Sequence, residues 1–429
     1  MPNEPVRARN PWTWVPSLYF AEGIPYVVVM TVSVIMYKRL GISNADIAFY
    51  TSWLYLPWVI KPLWSPFVDM FRTKRLWIVA LQGVLSIALG FIAFTVSLPS
   101  FFTWTLVVFA LMAFASATHD IAADGFYMLG LPQHQQAAFV GVRSTFYRFA
   151  MIAGQGLLVV LAGTIETRTG GNISFAWSVT FVVIAVMFAL FFLYHKFVLP
   201  YPLSDTPTLR TGSGGFMKEF LQTFVLFFKK KDILATLAFL LFYRFAEAQL
   251  VKLVTPFLLD ARERGGLGLT TSEVGVVYGT VGIIALTLGG LLGGYVVSRN
   301  GLKTWLWPMV LIIHLPDVMF IYLSQVQPTN FVLINLAVSI EQFGYGFGFT
   351  AYMMYMIMVA EGNHKTAHYA ICTGFMALGM MLPGMLSGMI QEMLGYKGFF
   401  LWVVLSTIPG FIVALLVKID PEFGKKRES

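Results

Sequence analysis

Ser116-Ala117-Thr118-His119-Asp120-Ile121-Ala122-Ala123-Asp124-Gly125-Phe126-Tyr127 carries two carboxylates and an imidazole inside an apolar run, residues 102–130. That run is long enough to cross a bilayer as a helix. A charged group near mid-membrane costs from about 3 to over 10 kcal/mol, so such groups face a polar interior and mark function. Asp120 and Asp124 are four residues apart, one above the other on a single helix face. Something in the folded chain keeps that face wet or paired.

The rest of the composition agrees with a membrane chain. Of 429 residues, 57% are hydrophobic and only 12% are charged, half the charged fraction of about 25% usual in soluble domains. The single cysteine, Cys372, forms no internal disulfide. Apolar runs between polar breaks predict twelve spans, near 14–37, 45–67, 76–97, 102–130, 138–162, 174–198, 233–259, 273–298, 304–324, 330–359, 367–391 and 397–418. The first run is followed by many others and lacks a small-residue cleavage site, so it reads as a retained span. An even number of spans puts both termini on one side. Placing them in the cytoplasm gives a three-to-one excess of Lys and Arg in the cytoplasmic segments, as the positive-inside rule requires. The formal charge of +8 is thereby explained by topology, and nucleic acid is excluded as a partner. Five basic residues stay inside spans: Lys61, Arg143, Arg148, Arg244 and Lys252.

One long connection divides the chain. Its first part, 200–215, is rich in Pro, Gly, Ser and Thr. Its second part sets Phe216, Phe220, Leu221, Phe224, Phe227 and Phe228 at helical spacing before Lys229-Lys230-Lys231, which predicts an amphipathic helix on the cytoplasmic leaflet. On either side the chain repeats weakly. Phe20-Ala21-Glu22 returns as Phe245-Ala246-Glu247, and Gly41-Ile42-Ser43-Asn44-Ala45-Asp46-Ile47 as Gly268-Leu269-Thr270-Thr271-Ser272-Glu273-Val274. Ordered matches of this kind predict parallel repeats with a substrate site near the midplane. The expected organisation is an all-α membrane protein: a six-helix bundle over 1–198, a cytoplasmic linker with its amphipathic helix over 199–232, a pseudo-symmetric second bundle over 233–420, and a cytoplasmic tail over 421–429.

Gly294-Tyr295-Val296-Val297-Ser298-Arg299-Asn300-Gly301-Leu302-Lys303 resembles the cytoplasmic loop motif of the major facilitator superfamily, with Ser298 where Asp is usual. Asp69 with Arg72, Lys74 and Arg75 looks like the fuller version in the first half. A carboxylate at a helix end that meets a neighbouring helix N-terminus in one state and leaves it in another would act as a latch, so Asp69, Arg72 and Arg299 are gating candidates. Lys61-Pro62-Leu63-Trp64-Ser65-Pro66-Phe67-Val68-Asp69, the Asp120 and Asp124 stretch, Tyr147-Arg148, Tyr243-Arg244-Phe245-Ala246-Glu247, Glu273-Val274-Gly275 and Glu341 with Gly346 and Gly348 narrow the likeness. Together they resemble the AmpG muropeptide permeases and, more distantly, the acetyl-CoA transporters. The chain departs from that pattern at Glu22, His119 and Met380. The resemblance implies proton-driven import of anhydro-muramyl disaccharide or muropeptide by a multi-pass protein of the cytoplasmic (inner) membrane.

Roles follow from charge and depth. Spans 4 and 5 are antiparallel neighbours, so Asp124 is expected opposite Arg143 and Asp120 opposite Arg148. Asp120, Asp124 and Arg148 are the proton-coupling candidates. Substrate-binding candidates are Glu22, Tyr26, Lys61, Tyr127, Arg244, Glu247, Glu341 and Tyr345: tyrosines stack on a sugar, carboxylates take its hydroxyls, and a guanidinium grips a carboxylate bidentately. The partners expected are a small sugar or peptidoglycan fragment, protons and the lipid bilayer, with the chain a monomer and without a cofactor. Two other readings stay open: transport of another anionic solute, such as an amino sugar or acyl-CoA-like compound, and a membrane acyltransferase built on the His119-x4-Asp124 spacing.

Overall fold

A computed structural model describes residues 9–206, 213–362 and 365–425. Among them every regular element is helical. In chain order these are α1 (Pro11–Arg39), α2 (Asn44–Ser52), α3 (Leu56–Met70), α4 (Lys74–Thr95), α5 (Phe101–Gly130), α6 (133–168) and α7 (Ile173–Val198), then the linker helix α8 (Ser213–Phe228). After it come α9 (Ile233–Leu259), α10 (Thr271–Asn300), α11 (Leu302–Val326), α12 (Phe331–Ala360) and a continuous helical run, Ala367–Leu416. Among the described residues ten segments are long and apolar enough to span a bilayer, and two local breaks account for the difference from twelve. Pro57 has no N–H to offer the Trp53 carbonyl, so a 3-10 turn at Trp53–Tyr55 separates α2 from α3, which together make the second span. The 50-residue run 367–416 is far longer than any bilayer needs. It breaks at Gly395, where φ is +63°, into α13 (365–394) and α14 (396–416).

The internal repeat turns out to encode a helix start. Gly41 and Gly268 both take positive φ, +85° and +68°, which costs glycine nothing. Two residues later Ser43 and Thr270 accept from the backbone N–H of Asp46 and Glu273, at 3.0 and 3.2 Å. Glu273 completes a reciprocal capping box. The repeated letters therefore place the outset of the second span of each half.

The chain forms two compact units, 1–36 with 63–211 and 37–62 with 212–429. In the first, α4 lies between α5 and α7, and α1 packs on α5 and α6. Its core contains Trp14, Tyr19, Phe126 and Tyr127. In the second, α12 is held between α10 and α11, while α9 and α2 pack on α13. Residues 37–62, expected with the first bundle, belong to this second unit. Gly388 on α13 has no side chain to keep the Asn44 backbone away, and Asn44 donates to Gln391 (2.6 Å) and to the Tyr396 hydroxyl (2.9 Å). The linker helix α8 also joins the second unit, through buried Phe227 set edge-on to His368. Its Leu221, Val225 and Phe228 stay exposed, whereas the side chains of Phe216 and Phe220 lie outside the described residues.

Alternate glycines 344, 346 and 348 serve close packing. A Cβ at Gly346 would overlap the carbonyl oxygen of Leu286 on α10, and one at Gly344 that of Ile312 on α11. Gly346→Leu is expected to destabilise the fold by about 3 kcal/mol, because neither backbone yields to an added side chain. Gly294→Leu, where a Cβ meets nothing within 4 Å, is the matched control. Thermal unfolding in detergent compares them; equal melting temperatures would refute this packing account.

Candidate functional site

Among the described residues, each unit holds one cluster of three acids. In the first unit, Glu22 from α1 and Asp120 and Asp124 from α5 bring one carboxylate oxygen each to within 4.8 Å of the others. The four-residue spacing on α5 stacks the two aspartates, and α1 supplies Glu22 because close packing at Gly23 and Gly154 draws α1 onto α6. Glu22 is buried, while Asp120 and Asp124 are half-buried. Glu22 and Asp120 act on each other electrostatically across this cluster, and like charges held so close are relieved by a proton or a nearby cation. Arg143 of α6 forms an ion pair with Asp124 at 2.7 Å and interacts electrostatically with Glu22 and Asp120 as well. Its guanidinium lies 4.5 Å from the ring centroid of Tyr19 and 5.4 Å from that of Tyr127, and the Tyr19 hydroxyl donates to Asp124 at 3.2 Å. The cation placed among the acids is thus Arg143. Arg148 lies half-buried further along α6. Tyr26 is half-buried on α1, close to Tyr147.

His119 faces away from this cluster. The Gln82 amide group donates to His119 Nε2 (3.0 Å), the Gln82 carbonyl accepts from His195 Nδ1 (2.8 Å), and Ser17 Oγ donates to His195 Nε2 (2.9 Å). The two ends of the glutamine amide fix both imidazole tautomers, since only one end donates. His119 and Asp124 consequently engage different partners on different helices, and the acyltransferase-like spacing assembles no common site.

The second cluster joins Glu247 of α9, Asp317 of α11 and Glu341 of α12, again within 4.8 Å, and each residue is only 1% exposed. Gln342 donates to Glu341 Oε2 at 3.0 Å. Tyr278 from α10 lies beside them and acts electrostatically on Glu341 and Glu247. Arg244 sits three residues before Glu247, yet its guanidinium turns to the aromatics of α12. It donates to the Tyr345 hydroxyl and lies 5.0 and 4.7 Å from the ring centroids of Tyr345 and Phe349. No ion pair between Arg244 and Glu247 forms among the described residues. What the arrangement offers is a buried cation on an aromatic wall, suited to gripping an anionic group edge-on.

The remaining candidates are dispersed. Lys61 is half-buried on α3. Asp69 ends that helix with a side chain outside the described residues, Arg72 is exposed with φ at +67°, and exposed Arg299 stacks 5.1 Å from the Tyr295 ring. Sequence reading missed two features of the second unit. Lys252, recognised only as a base inside a span, is buried and donates to Thr51 Oγ1 at 2.8 Å beside the Tyr55 ring. Lys38 pairs with Asp260 at 2.7 Å and reaches Asn44 Oδ1 at 2.7 Å, while the Tyr396 hydroxyl donates to Asp260 at 2.6 Å. Partners separated by about 200 residues or more leave no local signal, although a lysine and an aspartate at span ends are themselves visible.

Comparison with known proteins agrees with this architecture. The profile of the Major Facilitator Superfamily matches residues 17–369. A Rickettsia conorii protein named for the AmpG transporters is 26% identical, over 93% of this chain and 94% of its own. The anhydromuropeptide permease of Escherichia coli K12 is 24% identical, over 96% of this chain and 80% of its own. Among solved structures, a D-xylose-proton symporter superposes with a TM-score of 0.71 at 12% identity, covering 94% of this chain and 96% of that one. The nucleoside transporter NupG gives 0.68 at 16% identity, with 95% and 98% covered.

Proposed function

The chain belongs to the Major Facilitator Superfamily, and on that premise we propose that it imports peptidoglycan turnover products, anhydro-muramyl disaccharide or muropeptide, by proton symport. It would do so as a monomer in the cytoplasmic membrane, with both termini on the cytoplasmic side. As a member of this superfamily it is a multi-pass membrane transporter of a small molecule. The observation that carries proton coupling is the cluster of Glu22, Asp120 and Asp124 carboxylates beside the Asp124–Arg143 ion pair. A carboxyl pair that holds one proton next to a fixed guanidinium binds or releases that proton as water reaches it. The name of the Escherichia coli relative supports a muropeptide, and buried Arg244 on its aromatic wall suits the lactyl carboxylate of a muramic acid. Tyr26, Tyr127 and Tyr345 provide ring faces for a sugar, while Glu22 is an acceptor for its hydroxyls. Lys61 serves as a further anion contact, and Asp69, Arg72 and Arg299 as the cytoplasmic latch.

Uptake of labelled anhydro-muramyl disaccharide into cells that lack their own permease tests this reading. Accumulation above the external concentration, abolished by a protonophore, is the expected result. No uptake of disaccharide or muropeptide would reject the substrate, and protonophore-resistant accumulation would reject symport.

A further inference from the structure

We propose that Glu247, Asp317 and Glu341 form a binding site for a hard cation of sodium or calcium size inside the second unit. The site is separate from the proton-coupling acids of the first unit and does not depend on which solute is carried. Three helices each contribute one carboxylate, and the three oxygens lie within 4.8 Å of one another. Both oxygens of Glu247, both of Asp317 and Oε1 of Glu341 are buried without a hydrogen-bond partner, while Gln342 fixes the remaining Glu341 oxygen at 3.0 Å.

The comparison between the clusters is what points to an ion. In the first unit Arg143 is 2.7 Å from Asp124, and the Tyr19 hydroxyl is at 3.2 Å, so protein groups balance those acids. In the second unit the cation on the same helix as Glu247, Arg244, is engaged with Tyr345 and Phe349. Buried carboxylates that repel one another at this range need a positive charge among them. Their donor set is oxygen only, which selects a hard cation over zinc or copper. Magnesium demands a near-octahedral shell at ~2.1 Å and gives up its waters reluctantly, whereas a calcium-sized ion accepts an irregular oxygen shell at ~2.4 Å. His314, the nearest imidazole in sequence, points its Nε2 at Gly410 on α14 instead. A 3-10 turn at Leu315–Asp317 interrupts α11 and places Asp317 at the discontinuity, the kind of broken helix that lines ion sites in transporters.

The test is thermal unfolding of the purified full-length protein in detergent, stripped of cations, in choline chloride against NaCl, CaCl2 and MgCl2 at equal ionic strength. Saturable stabilisation by about 5 °C in NaCl or in CaCl2 is expected, the effective salt identifying the ion, with none in choline or magnesium. D317N and E341Q should lose that shift while keeping or raising the cation-free melting temperature, because one repelling charge is gone; D124N in the first unit should retain it. Should these variants not fold, binding of 22Na or 45Ca to the wild-type chain, expected at one ion per chain, decides the question. No salt-specific shift and no bound ion, or a shift that survives D317N and E341Q, overturns the site. Failure of muropeptide uptake leaves this result untouched, so the two readings fail separately.

Discussion

Asp120→Asn protein in proteoliposomes is expected to exchange solute in counterflow at close to the wild-type rate, yet to lose accumulation against a gradient. The reason lies in what the substitution removes. An amide keeps the shape of the side chain beside Glu22, but it cannot take up and release a proton as a carboxyl does. Solute binding and the conformational cycle stay intact, while the linkage to the gradient disappears. Each charge moved across 100 mV is worth about 2.3 kcal/mol, or roughly 50-fold accumulation, and that factor should vanish in the variant. Equal loss of exchange and uptake would instead mean that Asp120 supports the fold or the solute. Glu22→Gln tests the same proton from the other side and should give the same split, since either partner alone is insufficient to share it.

The second large effect concerns Arg244. Arg244→Ala should weaken uptake of an anionic disaccharide about 100-fold in KM, corresponding to about 2.7 kcal/mol for a desolvated guanidinium–carboxylate contact. Arg244→Lys should recover part of it, because an ammonium keeps the charge but not the planar fork. The structure sets the terms of this comparison. Arg244 is 6% exposed and its guanidinium is held by Tyr345 and Phe349, so the group is preorganised before any solute arrives. A neutral amino sugar should be indifferent to the substitution. If the neutral and anionic solutes lose affinity alike, Arg244 acts through packing and not through a carboxylate.

Much of the fold was legible because hydropathy and helix length are local properties. The linker, the spans and the loop motif around Arg299 all follow from residues near one another in sequence. The Asp124–Arg143 ion pair was also accessible, since antiparallel neighbours joined by a short loop conserve the sum of their residue numbers at equal depth. The same arithmetic set Asp120 against Arg148 and left out the preference of both aspartates for Glu22 of α1 as a neighbour. That preference was invisible because it depends on how closely α1 approaches α6 at Gly23 and Gly154, which no spacing on α5 encodes.

By itself, the sequence determined that this chain crosses a membrane many times, that it repeats a helix-start signal in each half, and that acids at 22, 120, 124, 247 and 341 had to find polar company. Burial of an ionisable group in an apolar run is costly wherever the run ends up, so the need for a partner is written in one dimension. Tertiary structure alone decided the other partners: Glu22 beside Asp120 and Asp124, Asp317 beside Glu247 and Glu341, Thr51 for Lys252, Asp260 for Lys38. Those choices depend on helix rotation and on glycine-permitted approaches of a few tenths of an ångström, and neither leaves a periodic trace along the chain.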